Sequence, residues 1–329
     1  MLHAACIGWF AMDRRSVAAL LEAWSLPAPT AVWAPDRGTN NLVRIVDAGG
    51  SRHVLRWHQN ATTEQIEAEH RLLTTLVAAR RLTFRVPEPI ATVDGRWTVT
   101  TARGPVSLTS WIPGDHPARD RSGLELAGSA LGELDLALAG LPLDLAPTDW
   151  STRTLSEVHP LVTDVAELAT ALVAALPAEP AARWFAERAA AIETDAAHCY
   201  ERLPRQIVHG DFALGNLLVH RGRVTGVLDF EIAGLDLRLT EVAAALTQST
   251  DGLPADEVAA FARGYARHVR LTDAERAAGP TLIRYRALGS IIWRAGRWRA
   301  GHATLEEVAD RLREGARLDA VADRVRFTE

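Results

Sequence analysis

Residues Ile207-Val208-His209-Gly210-Asp211-Phe212-Ala213-Leu214-Gly215-Asn216-Leu217-Leu218-Val219 set two short apolar runs around a polar loop that holds a histidine, an aspartate and an asparagine. Another apolar run, Val224 to Leu228, follows and ends in Asp229-Phe230-Glu231. Short apolar runs bounded by turn residues read as strands. A hairpin of this kind would bring Asp229 beside the Asp211–Asn216 loop, so that two carboxylates and an amide oxygen converge. Phosphoryl transfer needs that combination. A nucleoside triphosphate carries a divalent metal, which takes hard oxygen ligands such as Asn216 and Asp229. The acceptor hydroxyl needs a carboxylate to orient it and take its proton, which suits Asp211. His209 is better suited to bracing the loop backbone than to the chemistry.

Outward from this segment the chain changes character once. Upstream, a helix carrying Val17, Leu20, Leu21 and Trp24 precedes a β-rich stretch. Strands are expected at 31–33, 42–46, 53–57, 90–93, 97–100 and 106–109, with a helix over 64–79 whose apolar side carries Ile66, Leu72, Leu73 and Leu76. Turn residues at 35–41, 47–50 and 94–95 punctuate them. Downstream, 122–138, 154–175, 180–200, 238–248, 254–268 and 279–299 read as helices. The expectation is an α+β fold in two lobes. A small β-rich lobe spans 12–109, a join lies at 110–114, and a helical lobe of 115–329 carries the loop at 207–231. Lobes of this kind commonly meet at a cleft, the usual place for a ligand.

The bulk composition narrows the classes. The 329 residues are 48% hydrophobic and 23% charged, as in an ordinary soluble globular protein. A net charge of -5 offers no long-range attraction for nucleic acid or an anionic membrane. Cys6 and Cys199 cannot build a disulfide framework and form no metal-spaced cluster, so two reduced thiols in a cytoplasmic protein are expected. All 36 basic residues are arginine, so any role usually held by lysine must be filled differently. Residues 1–11 are apolar without a basic leader and too short to span a bilayer. With Met12 ahead of an amphipathic helix, they read as an extension upstream of the real start.

The loop with its flanking strands resembles the catalytic segment of the aminoglycoside phosphotransferase and choline kinase superfamily, nearest to bacterial phosphotransferases labelled homoserine kinase type II. That pattern is His-Gly-Asp, four residues, Asn, then a strand ending Asp-Phe or Asp-Trp, and His209, Gly210, Asp211, Asn216 and Asp229 match it. The resemblance implies a protein-kinase-like fold, Asp211 as catalytic base, and Asn216 and Asp229 as Mg2+ ligands, with ATP or GTP as donor. Glu231 stands where protein kinases carry glycine, and either touches a second metal or is structural. By the same resemblance, Gly38, Thr39 and Asn40 lie where a loop would cover the phosphates. Arg56 falls where the family places a phosphate-pairing lysine, and Glu69 suits its partner; an ordinary surface ion pair is the alternative. Arg keeps the charge but differs in bulk and geometry. Ser110, Trp111 and Ile112 resemble the hinge whose backbone would contact the adenine. Glu241 is nearest to the aspartate that braces the catalytic loop, with Thr240 as a helix cap or a solvated Glu241 as the rival reading.

The acceptor is expected to be a small molecule with a hydroxyl group. Arginines in the segment 284–299 would favour one bearing a carboxylate or phosphate, although a solvated face is the alternative. Neither nucleic acid nor membrane is an expected partner, and a monomer or homodimer is. Two other readings stay open at this point: a nucleotide-binding regulator of the same fold with weakened catalysis, and a metal-dependent hydrolase using the same Asp/His cluster.

Overall fold

The computed structural model describes residues 14–35, 41–59 and 61–327. The extension at 1–11 and the loop residues Gly38, Thr39 and Asn40 lie outside them. The chain divides into two compact units. One comprises the described residues up to Gly114 together with Thr225–Glu231; the other comprises Asp115–Val224 and Ile232 onward.

The smaller unit is built on a five-stranded antiparallel sheet in the order β1-β2-β3-β5-β4. Its strands are β1 (Ala31–Trp33), β2 (Leu42–Ala48), β3 (Ser51–Trp57), β4 (Thr98–Thr101) and β5 (Gly104–Ser110). Alternation puts Val46, Ala48, Leu55, Trp57, Val106 and Leu108 on one buried face, where Val17, Leu21 and Trp24 cover them from α1 (Arg14–Leu21) and the 3-10 turn after it. Helix α2 (Thr63–Ala79) opens on a capping box between Thr62 and Gln65 and buries Ile66, Glu69, Leu72, Leu73 and Leu76. The strand expected at 90–93 is not a named strand. Ile90 N–H reaches Leu108 O, but Thr92 closes a turn onto Arg96.

Thr225–Glu231 belongs to this unit through hydrogen bonds. Arg85 N–H donates to Thr225 O and Val227 N–H to Arg85 O, both at 3.0 Å. Thr225 Oγ1 donates to Pro113 O at 2.7 Å. The division of the chain therefore falls inside the segment expected to belong wholly to the helical lobe.

The larger unit carries α3 (Arg121–Ala139), α4 (Val165–Ala175), α5 (Pro180–Arg202), α6 (Arg238–Ser249), α7 (Ala255–Tyr265), α8 (Asp273–Arg299) and α9 (Leu305–Ala322). Helices α3 and α7 pack backbone to backbone. A Cβ on Gly128 would collide with Phe261 O and one on Gly264 with Glu125 O. A second core forms where α4, α5, α8 and α9 meet, around Phe185, Leu288, Ile291 and Leu312. Strand β6 (Arg205–Val208) pairs antiparallel with β9 (Gly234–Leu237), and β7 (Leu217–His220) precedes β8 (Arg223–Val227), whose last three residues belong to the smaller unit. The helix expected over 154–175 is only α4, because Asp164 caps it by accepting from Ala166 and Glu167 N–H.

Candidate active site

In the larger unit the loop after β6 is held from below by one buried carboxylate. Glu241 on α6 accepts His209 N–H at 2.8 Å on Oε2 and Gly210 N–H at 2.7 Å on Oε1. Gly210 sits at φ +86°, and a Cβ there would collide with Ile232 O, so only glycine fits. His209 is fully buried, and its Nδ1 accepts Asp211 N–H at 3.2 Å. The histidine thus fixes the backbone of Asp211 rather than facing a substrate.

Beyond the loop, Asn216 Nδ2 donates to Asp211 O at 2.8 Å. A carbonyl only accepts, so the NH2 end of the amide faces Asp211 and Oδ1 is turned away from it. Gln248 on α6 donates from Nε2 to Asp211 Oδ1 at 3.1 Å. Asp211 is therefore partly exposed, anchored through its backbone at both N–H and C=O, and touched on one carboxylate oxygen.

The smaller unit gathers its own charges. Arg56 on β3 lies 3.3 Å from Asp229 Oδ1. Glu69 of α2 and Glu231 act on the same guanidinium. Burial alone would lower the Arg56 pKa, but Asp229, Glu69 and Glu231 together raise it. Burial pushes the Glu69 carboxyl up to about 7, with Arg56 pulling the other way. Glu231 is fastened by Asn41 Nδ2 at 2.7 Å, and Asn41 Oδ1 accepts Gln59 N–H at 3.1 Å. Asp229 itself has φ +68°, a left-handed backbone that a non-glycine residue holds at a cost. Two neighbouring histidines are kept neutral: burial and then Arg56 lower His58 to about 3 and His70 to about 4.

The join is less open than expected. Ser110 N–H donates to Glu88 O and Trp111 N–H to Arg52 O, so both donors are turned into the unit's own backbone. The Arg52 guanidinium also lies over the rings of Trp33 and Trp111. Ile112 is buried beside Gly226.

Three arginines of the row at 284–299 are spent on acidic partners. Arg284 is paired with Asp319 and Asp323, Arg294 with Glu307, and Arg299 with Glu167 and Leu161 O. These arginines tie α8 to α9 and to the α4 region. Long basic side chains on a helix find acidic partners on whatever packs beside it, and spacing along one helix cannot reveal that.

Sequence reasoning missed Gln248, Asp135, Tyr265 and the Arg238–Glu275 pair. Asp135 left one signal: it sits four residues after Leu131, on the buried stripe of α3, where an acid is out of place. Among the described residues no three His, Cys, Asp or Glu side chains group as a metal set, and no helix is long and apolar enough to cross a membrane.

Three comparisons with known proteins bear on this arrangement. The model of the phosphotransferase enzyme family matches residues 34–279. A homoserine kinase of Gluconacetobacter diazotrophicus is 30% identical over 64% of this chain and 64% of its own length. A homoserine kinase of Phenylobacterium zucineum is 26% identical over 86% and 85%. Among solved structures, a microcompartment-associated aminopropanol kinase superposes with a TM-score of 0.68 at 19% identity, covering 96% of this chain and 100% of that one. An amicoumacin kinase solved with AMP-PNP and Ca2+ gives 0.69 at 14% identity, covering 99% and 98%. The fold is the protein-kinase-like one of these enzymes.

Proposed function

The chain belongs to the phosphotransferase enzyme family, and on that premise we propose that it moves the γ-phosphoryl group of ATP or GTP to a hydroxyl of a small molecule. Asp211 is the base, and Asn216 and Asp229 hold Mg2+. The observation that carries this reading is the presentation of Asp211 and Asn216. The Asn216 amide spends its NH2 on Asp211 O, which leaves the oxygen end as a hard donor. Gln248 holds one oxygen of Asp211, which leaves the second to orient the acceptor O–H and take its proton. Asp229 is an oxygen donor too, with one carboxylate oxygen near Arg56 and another to offer. When bound, the metal neutralises charge on the triphosphate oxygens. Arg56 contributes a fixed positive charge toward a phosphate in a chain without lysine.

Curated relatives bear the name homoserine kinase, so hydroxylated amino acids and amino alcohols are the first acceptors to try. Nucleotide consumption should be screened across hydroxylated metabolites with Asp211→Asn as the blank. Turnover with the best acceptor is expected to fall by about a thousandfold in the variant, the scale of a general base. Turnover that survives the substitution would remove Asp211 from the role, and ester cleavage with metal but no nucleotide would replace the reading by a hydrolase.

One observation favours a second reading, a nucleotide-binding protein with weakened catalysis. Arg56 and Asp229 are paired directly, so each is partly committed to the other rather than to phosphate or metal. Tight nucleotide binding without turnover for any acceptor would select it.

A further inference from the structure

Beneath the catalytic loop, the larger unit buries more acid than its cations can balance. Asp135 of α3 and Glu241 of α6 are 1% and 2% exposed. The two carboxyls face one another closely enough for each to act on the other. Asp135 Oδ2 accepts from Tyr265 Oη on α7 at 2.6 Å. No N–H or O–H group among the described residues donates to its buried Oδ1. Both oxygens of Glu241 already accept, one from His209 N–H and one from Gly210 N–H.

Two basic side chains lie close enough to act on the pair, and each already has a partner of its own. Arg238 of α6 is engaged in a two-pronged pair with Glu275 of α8, at 2.7 and 2.8 Å. His209 approaches Glu241 at 4.0 Å through Nδ1, but that nitrogen accepts Asp211 N–H. That nitrogen therefore donates no hydrogen bond to the Glu241 carboxylate. Two buried carboxylates that face one another repel, and the pull of Arg238 on Asp135 and of His209 on Glu241 does not undo the rise of either. A single proton between them removes the repulsion and supplies the donor that Asp135 Oδ1 lacks.

We propose that Asp135 is a positioning residue for the catalytic loop: it shares one proton with Glu241, and that proton holds Glu241 where its oxygens take the His209 and Gly210 N–H groups. The proton stays within the pair, and no group is transferred. Only its consequence for turnover rests on Asp211 being the base. Burial pushes both carboxyls up from the ordinary range, and Asp135 adds to the rise of Glu241. Groups whose folded pKa is raised lose their contribution as pH rises through it. Alkaline pH should therefore strip the shared proton and loosen the loop. The groups facing the pair are Tyr265, Arg238, Glu275 and His209. Of these, the Tyr265 hydroxyl is itself driven well above its ordinary range by burial and then by Asp135.

The test is amide hydrogen exchange at His209 and Gly210, expressed as protection factors, in the full chain with Asp135→Asn and Asp135→Leu. Asn keeps a neutral donor toward Glu241 and an acceptor for Tyr265. Leu keeps the volume and neither bond. Wild-type protection at these two amides is expected to drop about tenfold between about pH 6.5 and about pH 9. In Asp135→Asn that change should shrink to less than about threefold. Asp135→Leu should lose about tenfold of protection already at neutral pH. An Asn variant that follows the wild-type alkaline loss would overturn the proposal, as would a Leu variant with full protection. Should the Leu variant fail to fold, the Asn comparison still decides. The readout needs no turnover, so failure of the phosphotransferase reading would show separately, as an inactive protein with the predicted exchange pattern.

Discussion

The two units bury charge in opposite ways. In the smaller one, Asp229, Glu69 and Glu231 surround a single guanidinium, Arg56. In the larger one, Asp135 and Glu241 lie against each other while the nearest guanidinium, Arg238, is committed to Glu275. The first cluster is offset in part by a cation that cannot lose its charge, the second, on the proposal above, by a proton that can be lost. The cluster proposed to receive phosphate and metal keeps a permanent positive centre with acids around it. On the proposed sharing of one proton, the loop of the larger unit is held by a pair that keeps a single negative charge and whose strength depends on pH.

The largest effect should come from removing the acceptor under the loop. Glu241→Ala leaves two buried backbone N–H groups without partners and should destabilise the chain by about 3–5 kcal/mol, measured by urea unfolding. A loss below about 1 kcal/mol would mean that water replaces the carboxylate and that the larger unit's cluster matters little.

Next is the cation. Arg56→Met removes the counter-charge of Asp229 and Glu69. A cost of about 2 kcal/mol is expected near pH 8, smaller than for a wholly buried pair because Asp229 keeps 34% side-chain exposure. The cost should shrink near pH 5, because Glu69, with its pKa pushed up to about 7, is then already neutral. An equal cost at both pH values would break the contrast between the units.

The smallest effect is a slope. The raised pKa of Glu69 means that its contribution is fully present below the ordinary carboxylate value and is lost as pH rises through about 7. His58 and His70 are lowered to about 3 and about 4, so their contribution is present above the ordinary histidine value and is lost as pH falls toward those values. Glu69→Gln should therefore flatten stability on the neutral side by about 1 kcal/mol and leave the acid side unchanged. Thermal unfolding across pH, variant against wild type, reads this directly.

How much of this was legible from the chain follows from the range of each interaction. Strand alternation in 42–48 and 51–57 and the helical stripe of α2 are local patterns, and they were read within a few residues, whereas the start of α4 was read eleven residues early. Helix α9 and strand β9 were missed. The first is as polar as it is apolar along much of its length, and the second is four residues that become a strand only by pairing with β6. Within the site, the types and spacing of His209, Gly210, Asp211, Asn216 and Asp229 stand in the sequence. The hydrogen bonds of Glu241 do not, because its partners lie more than thirty residues away.

The sequence by itself determined the type and order of the residues proposed for phosphoryl chemistry and the absence of lysine beside them. Both are matters of composition and order along the chain. Only the tertiary structure decided which charges meet. It paired Arg56 with Asp229, spent Arg284, Arg294 and Arg299 of α8 on acidic partners, and set Asp135 against Glu241. Electrostatic balance is settled by distances between segments far apart in sequence and by their removal from water, and neither quantity exists until the helices and strands have packed.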